Sequence, residues 1–152
     1  MSDLGTPTRE VPNMQIRTFK QSDTEDVVKL WTTCGLTRPW NNPYLDIQRK
    51  LEVDPQWFVV GEVDGKTMAS AMFGYEGHRG WVNYLAVSPE YQRRGYAKQL
   101  MQYGETLLLA VGCPKLNLQV RDTNTEALGF YAALGYKIDA SVSLGKRLIA
   151  DE

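Results

Sequence analysis

Apolar residues along this chain recur with two periods, and the switches between them mark out its elements. Gln15-Ile16-Arg17-Thr18-Phe19 alternates polar and apolar, as a half-buried strand does. Ser22-Asp23-Thr24-Glu25 has the form of a capping box, in which a serine oxygen and a glutamate satisfy free N–H groups at a helix start. Val27, Leu30, Trp31 and Cys34 then recur at steps of three and four, and Gly35 ends that helix. Leu36 to Pro43 is an irregular aromatic loop, and Ile47, Leu51 and Val53 predict a short second helix ending before Pro55. Strands follow at Trp57 to Val63 and Thr67 to Tyr75, joined by Asp64-Gly65, a strong hairpin signal. After a turn over Glu76 to Gly80, Trp81 to Val87 is a fourth strand. It is apolar except for Asn83, as expected if both faces are covered.

The period changes again at Gly95. Ala97, Leu100, Met101, Gly104, Leu107, Leu108 and Val111 form an unbroken helical stripe, stopped by Gly112-Cys113-Pro114. Gly104 inside it costs about 1 kcal/mol against alanine, which close packing on a sheet would explain. Leu116, Leu118 and Val120 alternate with Asn117, Gln119 and Arg121, predicting a fifth strand over 115–121. Thr123-Asn124-Thr125-Glu126 offers a second capping box, followed by a helix with Ala127, Phe130, Tyr131 and Leu134, closed by Gly135. The tail, Tyr136 to Ile149, has room for two short strands around Ala140-Ser141. The strand–helix–strand unit over 81–121 requires a crossover and therefore parallel pairing. The class is mixed α/β: one domain over 14–152 after a flexible lead-in, 1–13.

Composition narrows the function. With 152 residues the chain buries enough surface for a core without disulfides or metal. Net charge is −1, so nothing global draws it to nucleic acid or anionic lipid. The longest apolar run, Leu107 to Val111, is far short of a membrane span, and Met1 to Asn13 has no signal core, which makes cytoplasmic residence the expectation. Cys34 and Cys113 are far apart and read as reduced thiols. With only His78 beside them, neither a thiol nucleophile nor a transition-metal centre is expected.

The informative segment is Ser88-Pro89-Glu90-Tyr91-Gln92-Arg93-Arg94-Gly95-Tyr96-Ala97. A buried strand ends, the chain turns, and a helix begins near Gly95. The first N–H groups of a helix lack intrahelical partners, and the helix dipole makes them positive. Gly95 and Ala97 are small enough for close approach, and Arg93, Arg94 and Lys98 add mobile charge. This describes an anion site suited to phosphate. It is neither a P-loop nor GxGxxG, so ATP and NAD are poor ligands for it.

Gln92-Arg93-Arg94-Gly95-Tyr96-Ala97 resembles the acyl-CoA signature [Q/R]-x-x-G-x-[G/A] of the GCN5-related N-acetyltransferase (GNAT) family, with Gln92, Gly95 and Ala97 at the matching positions. Leu85-Ala86-Val87-Ser88-Pro89 is similar to that family's fourth strand and its exit. Asn124 followed by Phe130-Tyr131 and Leu134-Gly135-Tyr136 resembles its second signature. The likeness covers residues 14 to 149. It is nearest to small bacterial YpeA-type members, through Gly77-His78-Arg79-Gly80 and Ser143-Leu144-Gly145-Lys146-Arg147.

The resemblance implies a GNAT fold whose central mixed sheet splays between strands four and five. Backbone groups near Leu85, Ala86 and Val87 would then meet the pantetheine arm of acetyl-CoA as an added strand. N–H groups from Arg93 through Tyr96 to Lys98 would hold its pyrophosphate, and Asn124 would hydrogen-bond it. The thioester would sit near Asn83 and Gln119, and Tyr131 would face the sulfur. The implied reaction is direct attack of a primary amine, on a small molecule or a peptide, upon the acetyl thioester. Some members place a glutamate base on strand five; here that position is Gln119. Glu76, His78, Asp122 or a water chain are the substitutes. Arg38 and Trp40 lie in the loop that walls the acceptor side in this fold. The competing reading is a non-catalytic acyl-CoA-binding module. Monomer and homodimer both remain open.

Overall fold

The computed structural model describes residues 11–151. Five strands form one mixed sheet in sequential order. β1 (Gln15–Thr18), β2 (Phe58–Val63), β3 (Lys66–Tyr75) and β4 (Gly80–Val87) pair antiparallel. β5 (Leu116–Asn117) pairs parallel with β4, as the crossover argument requires. Helix α1 (Thr24–Thr33) and α2 (Pro43–Leu51) cover one face; α3 (Tyr96–Ala110) and α4 (Thr125–Ala133) lie on the other.

Each face has its own core. Phe19, Val27, Trp31, Ile47, Phe58 and Val60 pack on the α1 side, with Phe19 stacked on Phe58 at 4.2 Å between ring centres. Val59, Met68, Phe73, Tyr96, Leu100 and Met101 pack on the α3 side. The alternating contributions of Phe58, Val59 and Val60 follow from the two-residue period of a strand. Gly104 has the packing explanation: a β-carbon there would lie 2.0 Å from the Phe73 ring.

Several expectations are corrected. Ser22 does not cap α1. Asp23 instead turns its carboxylate back onto the Lys20 N–H at 2.8 Å and onto Arg17, and the helix begins one residue later. α2 ends at Leu51, leaving Val53 exposed, and its start is set by the Asn42 side chain, which accepts from the Tyr44 and Leu45 N–H groups ahead of Pro43 at the first turn. The lead-in does not run free to residue 13, because the Pro12 carbonyl accepts from the buried Tyr96 hydroxyl at 2.5 Å. Residues 1–10 of that segment lie outside the described residues.

The largest difference is at the C-terminal edge. Strand five is two residues long rather than seven, and no strand forms among the described residues after α4. Gly80 and Trp81 hold β5, while Val82 to Val87 have no neighbour on that side. Without a ladder beside it, 118–121 makes no strand, and the alternating tail beyond it has nothing to join.

Candidate active site

β4 is the strand that builds the site, and it is irregular. Ser70 of β3 pairs with Ala86 and Met72 with Asn83, so Ala71 alone stands opposite Tyr84 and Leu85. This is a β-bulge, and Tyr84 takes the left-handed φ of 53° that it demands. The side-chain alternation slips by one there: Val82, Leu85 and Val87 face the α3 core, whereas Tyr84 and Ala86 face the α1 core. A buried hydroxyl pins it. Ser70 accepts from the Trp31 indole at 2.8 Å and donates to the Tyr84 carbonyl at 3.0 Å. The Tyr84 ring stacks on Trp31 at 3.8 Å, and its hydroxyl donates to Asp46 of α2 at 2.6 Å. Burial and that carboxylate push the Tyr84 phenol well up.

Beyond the bulge, β4 runs out along its unpartnered edge into the turn before α3. The side chain of Gln92 donates to the Val87 carbonyl at 2.9 Å, and the Cys34 thiol lies 3.3 Å from the same oxygen. Val87 O is therefore held by the protein itself, and Gln92 acts as a tie between strand end and turn. Arg93 and Gly95 have positive φ, 64° and 87°, on either side of Arg94. Alternating handedness of this kind turns successive N–H groups toward one point, the geometry of an anion nest. No side chain caps α3, and the N–H groups of 93–98 have no partner among the described residues. Arg93, Arg94 and Lys98 are exposed around them, with Arg94 over the Tyr91 ring at 5.7 Å. Ala97 and Leu85 pack against the same buried cluster as Tyr131.

Tyr131 is largely enclosed by Phe130, at 5.0 Å, and Tyr136, at 5.9 Å. Burial pushes its phenol up to about 12. The hydroxyl has no hydrogen-bond partner among the described residues and is not one of the buried unsatisfied atoms. Asn124 caps α4, its side-chain oxygen accepting from the Ala127 N–H at 3.1 Å, which leaves its amide nitrogen free to donate.

The other sequence candidates sit elsewhere or are engaged. Gln119 is exposed, its amide 2.5 Å from the Ser143 hydroxyl. One oxygen of Glu76 accepts from the His78 and Arg79 N–H groups at 2.5 and 2.6 Å, closing the turn before β4. Those bonds hold its carboxyl below the ordinary range and make it a weaker base. Glu76 and His78 also stand at the Gly80 end of β4, roughly 20 Å along the strand from Val87. Asn83 is exposed next to the bulge. Arg38 folds back onto the Gly35 and Thr37 carbonyls at 2.8 and 3.0 Å, at the end of α1, and Trp40 is 55% exposed.

Sequence reasoning missed Ser70, Tyr84 and Asp46. It also missed the clasp between the C-terminal tail and the 36–42 loop. Asp151 accepts from Arg49 at 2.7 Å and from the Asn42 N–H at 2.8 Å, and Arg147 bonds Asn41. A shallow, open depression lies between Arg49 and residues 145–149. No group of three or more His, Cys, Asp or Glu side chains suited to a metal exists among the described residues, and no helix there is long and apolar enough to cross a membrane.

A mixed sheet opened along one strand, with a bare amide nest at the end of that strand, defines an acyltransferase architecture. The acetyltransferase (GNAT) family model matches residues 19–136, and the chain belongs to that family. An acetyltransferase of Yersinia enterocolitica is 50% identical over 139 residues, covering 91% of this chain and 99% of its own. One from Pectobacterium atrosepticum is 49% identical over 138 residues, covering 91% and 98%. Among solved structures, Ard1 from Thermoplasma volcanium superposes with a TM-score of 0.73 at 27% identity, over 84% of each chain. The aminoglycoside N-acetyltransferase AAC(6')-Iy, solved with a CoA bisubstrate analogue, shares the fold with a TM-score of 0.71 at 20% identity, over 90% of this chain and 99% of its own. The protein is a GNAT acetyltransferase.

Proposed function

We propose that the protein moves the acetyl group of acetyl-CoA to a primary amine of a small molecule or peptide, by direct attack in a ternary complex. The observation that carries this reading is the run of unpartnered N–H groups at 93–98, beside the open edge of β4 and on the α3 face that also carries the unengaged Tyr131 hydroxyl. The residues fit the cofactor: the nest and Arg93, Arg94 and Lys98 suit its pyrophosphate, the free edge of β4 its amides, and the Asn124 amide nitrogen a further acceptor.

Acetyl-CoA supplies an activated acyl carbon; the new C–N bond forms as the C–S bond breaks. Tyr131 meets the charge that develops on the leaving sulfur. With its phenol near 12 and an alkyl thiol near 8.5 by analogy with cysteine, full proton transfer is uphill by roughly 3.5 pK units. Tyr131 therefore donates a hydrogen bond to the developing thiolate rather than giving up its proton. Proton removal from the amine falls to water, because Gln119 has no carboxylate and Glu76 is tied into its turn.

Titration calorimetry on Tyr131→Phe separates the roles. Acetyl-CoA affinity stays within about threefold of the parent while kcat on a responsive amine falls about 10- to 100-fold. Loss of binding in that variant, or no acetyl-CoA binding by the parent, overturns the reading. Binding without turnover across a broad amine panel favours a non-catalytic module.

A further inference from the structure

Lys50 is drawn into the fold without an acidic partner. It stands in the last turn of α2, where the helix dipole favours positive charge. That preference is satisfied at the surface by its neighbour Arg49, which is exposed and pairs with Asp46 and Asp151. Lys50 instead is half-buried. Its ammonium donates to the Phe73 carbonyl at 2.6 Å and makes no ion pair among the described residues. Burial lowers its pKa, with Asp54 the opposing charge. An ammonium carries three N–H donors, and one carbonyl answers only one of them. A partly desolvated charge in that state is unfavourable unless an anion comes to it.

The surroundings of Lys50 show where such an anion would lie. Phe73 faces the α3 core and Met72 the α1 core, so Gly74 faces the α1 side by strand alternation. Apart from its chain neighbours, a β-carbon at Gly74 would meet one atom alone, Lys50 Nζ at 3.8 Å. Space over the sheet is open there, and Lys50 borders it. Gly74 pairs with Trp81 across β3 and β4. Trp81 alternates with Val82 of the α3 core, which puts its half-buried indole on the same face as Gly74, and it belongs to neither core. Trp81 is also the last residue of β4 with a neighbour in β5, so the open edge begins just beyond it. Lys50, Gly74, Trp81 and that edge form one row across the sheet. Neighbouring strands are about 4.8 Å apart, which sets the ammonium roughly 5–10 Å from the opening between β4 and β5.

Resting on the acetyl transfer proposed above, we propose that this row is the acceptor's subsite and that it selects amines bearing a carboxylate. Lys50 binds the carboxylate, the indole of Trp81 supports the spacer, and the amine reaches the opening where the thioester lies. An aromatic floor with one placed charge is a common form of small-molecule site. The spacing sets the class. Amine and carboxylate are separated by several carbons or a peptide unit, because in an α-amino acid they are too close to reach both ends of the row.

Titration calorimetry compares ε-aminocaproate, which spans the row, with hexylamine, which lacks the carboxylate, and with glycine, which is too short. Each is run with and without saturating CoA. The parent binds ε-aminocaproate at least about tenfold more tightly than hexylamine, and glycine no better than methylamine. Lys50→Met abolishes the preference and leaves hexylamine within about threefold, whereas Lys50→Arg retains most of it. Acetyl-CoA affinity is the same in all three. Gly74→Val, a change that suits a strand, fills the floor and weakens both long amines. Far-UV circular dichroism of each variant establishes that it is folded. Equal affinity of the parent for ε-aminocaproate and hexylamine overturns the inference, as does undetectable binding of both at millimolar concentration. So does a preference that survives Lys50→Met, or a matching loss of acetyl-CoA affinity in that variant, which would assign Lys50 to the cofactor. The comparison requires no turnover, so a failure of acetyl transfer strikes the catalytic reading alone, and the carboxylate preference is decided separately.

Discussion

Tyr131 shows how an environment sets the protonation state of a side chain. Its enclosure by Phe130 and Tyr136 disfavours the phenolate, so the proton stays on oxygen across the working range. In the proposed mechanism the protonated form acts, so the catalytic rate is expected to show no alkaline fall from this group up to about pH 10, since that form is lost only near 12. A pH–rate profile of the parent against Tyr131→Phe measures this; a phenol-dependent limb between pH 8 and 9 contradicts it. Gly104 is the second residue whose identity is forced. Alanine gains about 1 kcal/mol of helix propensity but must displace the fully buried Phe73 ring. Gly104→Ala should therefore lose about 1–3 kcal/mol net in urea unfolding. Gly95 is open in space, yet its φ of 87° makes any side chain strained. Gly95→Val should therefore lower stability, a loss that urea unfolding measures.

Strand β4 is interrupted by its bulge before it reaches the turn that leads into α3. Its bulge rests on one hydroxyl that satisfies both Trp31 and the Tyr84 carbonyl. Ser70→Ala removes both bonds within a closed interior and should cost about 1–3 kcal/mol, with a raised KM for acetyl-CoA as the strand relaxes. Thermal unfolding and steady-state kinetics on one preparation test the pair of effects; an unchanged KM would dissociate the bulge from the cofactor groove. Most elements were legible in the pattern, since Val27, Leu30 and Trp31, or Leu100, Met101 and Leu108, occupy a helical face that only a packed helix can bury. The turn at 92–95 was legible because a strand exit, paired arginines and a glycine at a helix start together describe an anion site, and because Gln92, Gly95 and Ala97 match the family signature. The bulge was not, as Trp81 to Val87 reads apolar in any register and only pairing reveals the slip. The fifth strand was over-read: alternation at Leu116, Leu118 and Val120 reports a two-sided environment and says nothing of whether a ladder partner stands there.

For the whole molecule, ionic contacts tie the turn before α1 to the two strands at the β1 edge of the sheet. Arg17 of β1 bonds the Asp23 carboxylate at 2.8 Å and Glu62 of β2 at 2.6 Å. The Arg17 guanidinium foremost, then the Lys20 N–H, holds the buried Asp23 carboxyl below its ordinary range against the opposing effect of burial. A depressed folded-state value means that this stability is present above the unfolded value near 4 and is lost as pH falls through the folded one. Asp23→Asn should thus cost about 2 kcal/mol at pH 7, with a difference that narrows steadily below pH 4. Urea titrations at both pH values report it, and a gap that persists unchanged at pH 3 refutes the assignment.

Tyr96 reaches from the opening turn of α3 to the carbonyl of Pro12. The first described residues are thereby fastened to the start of α3, so that stretch of chain and the turn at 92–95 share one anchor, and a disturbance of either is felt by the other.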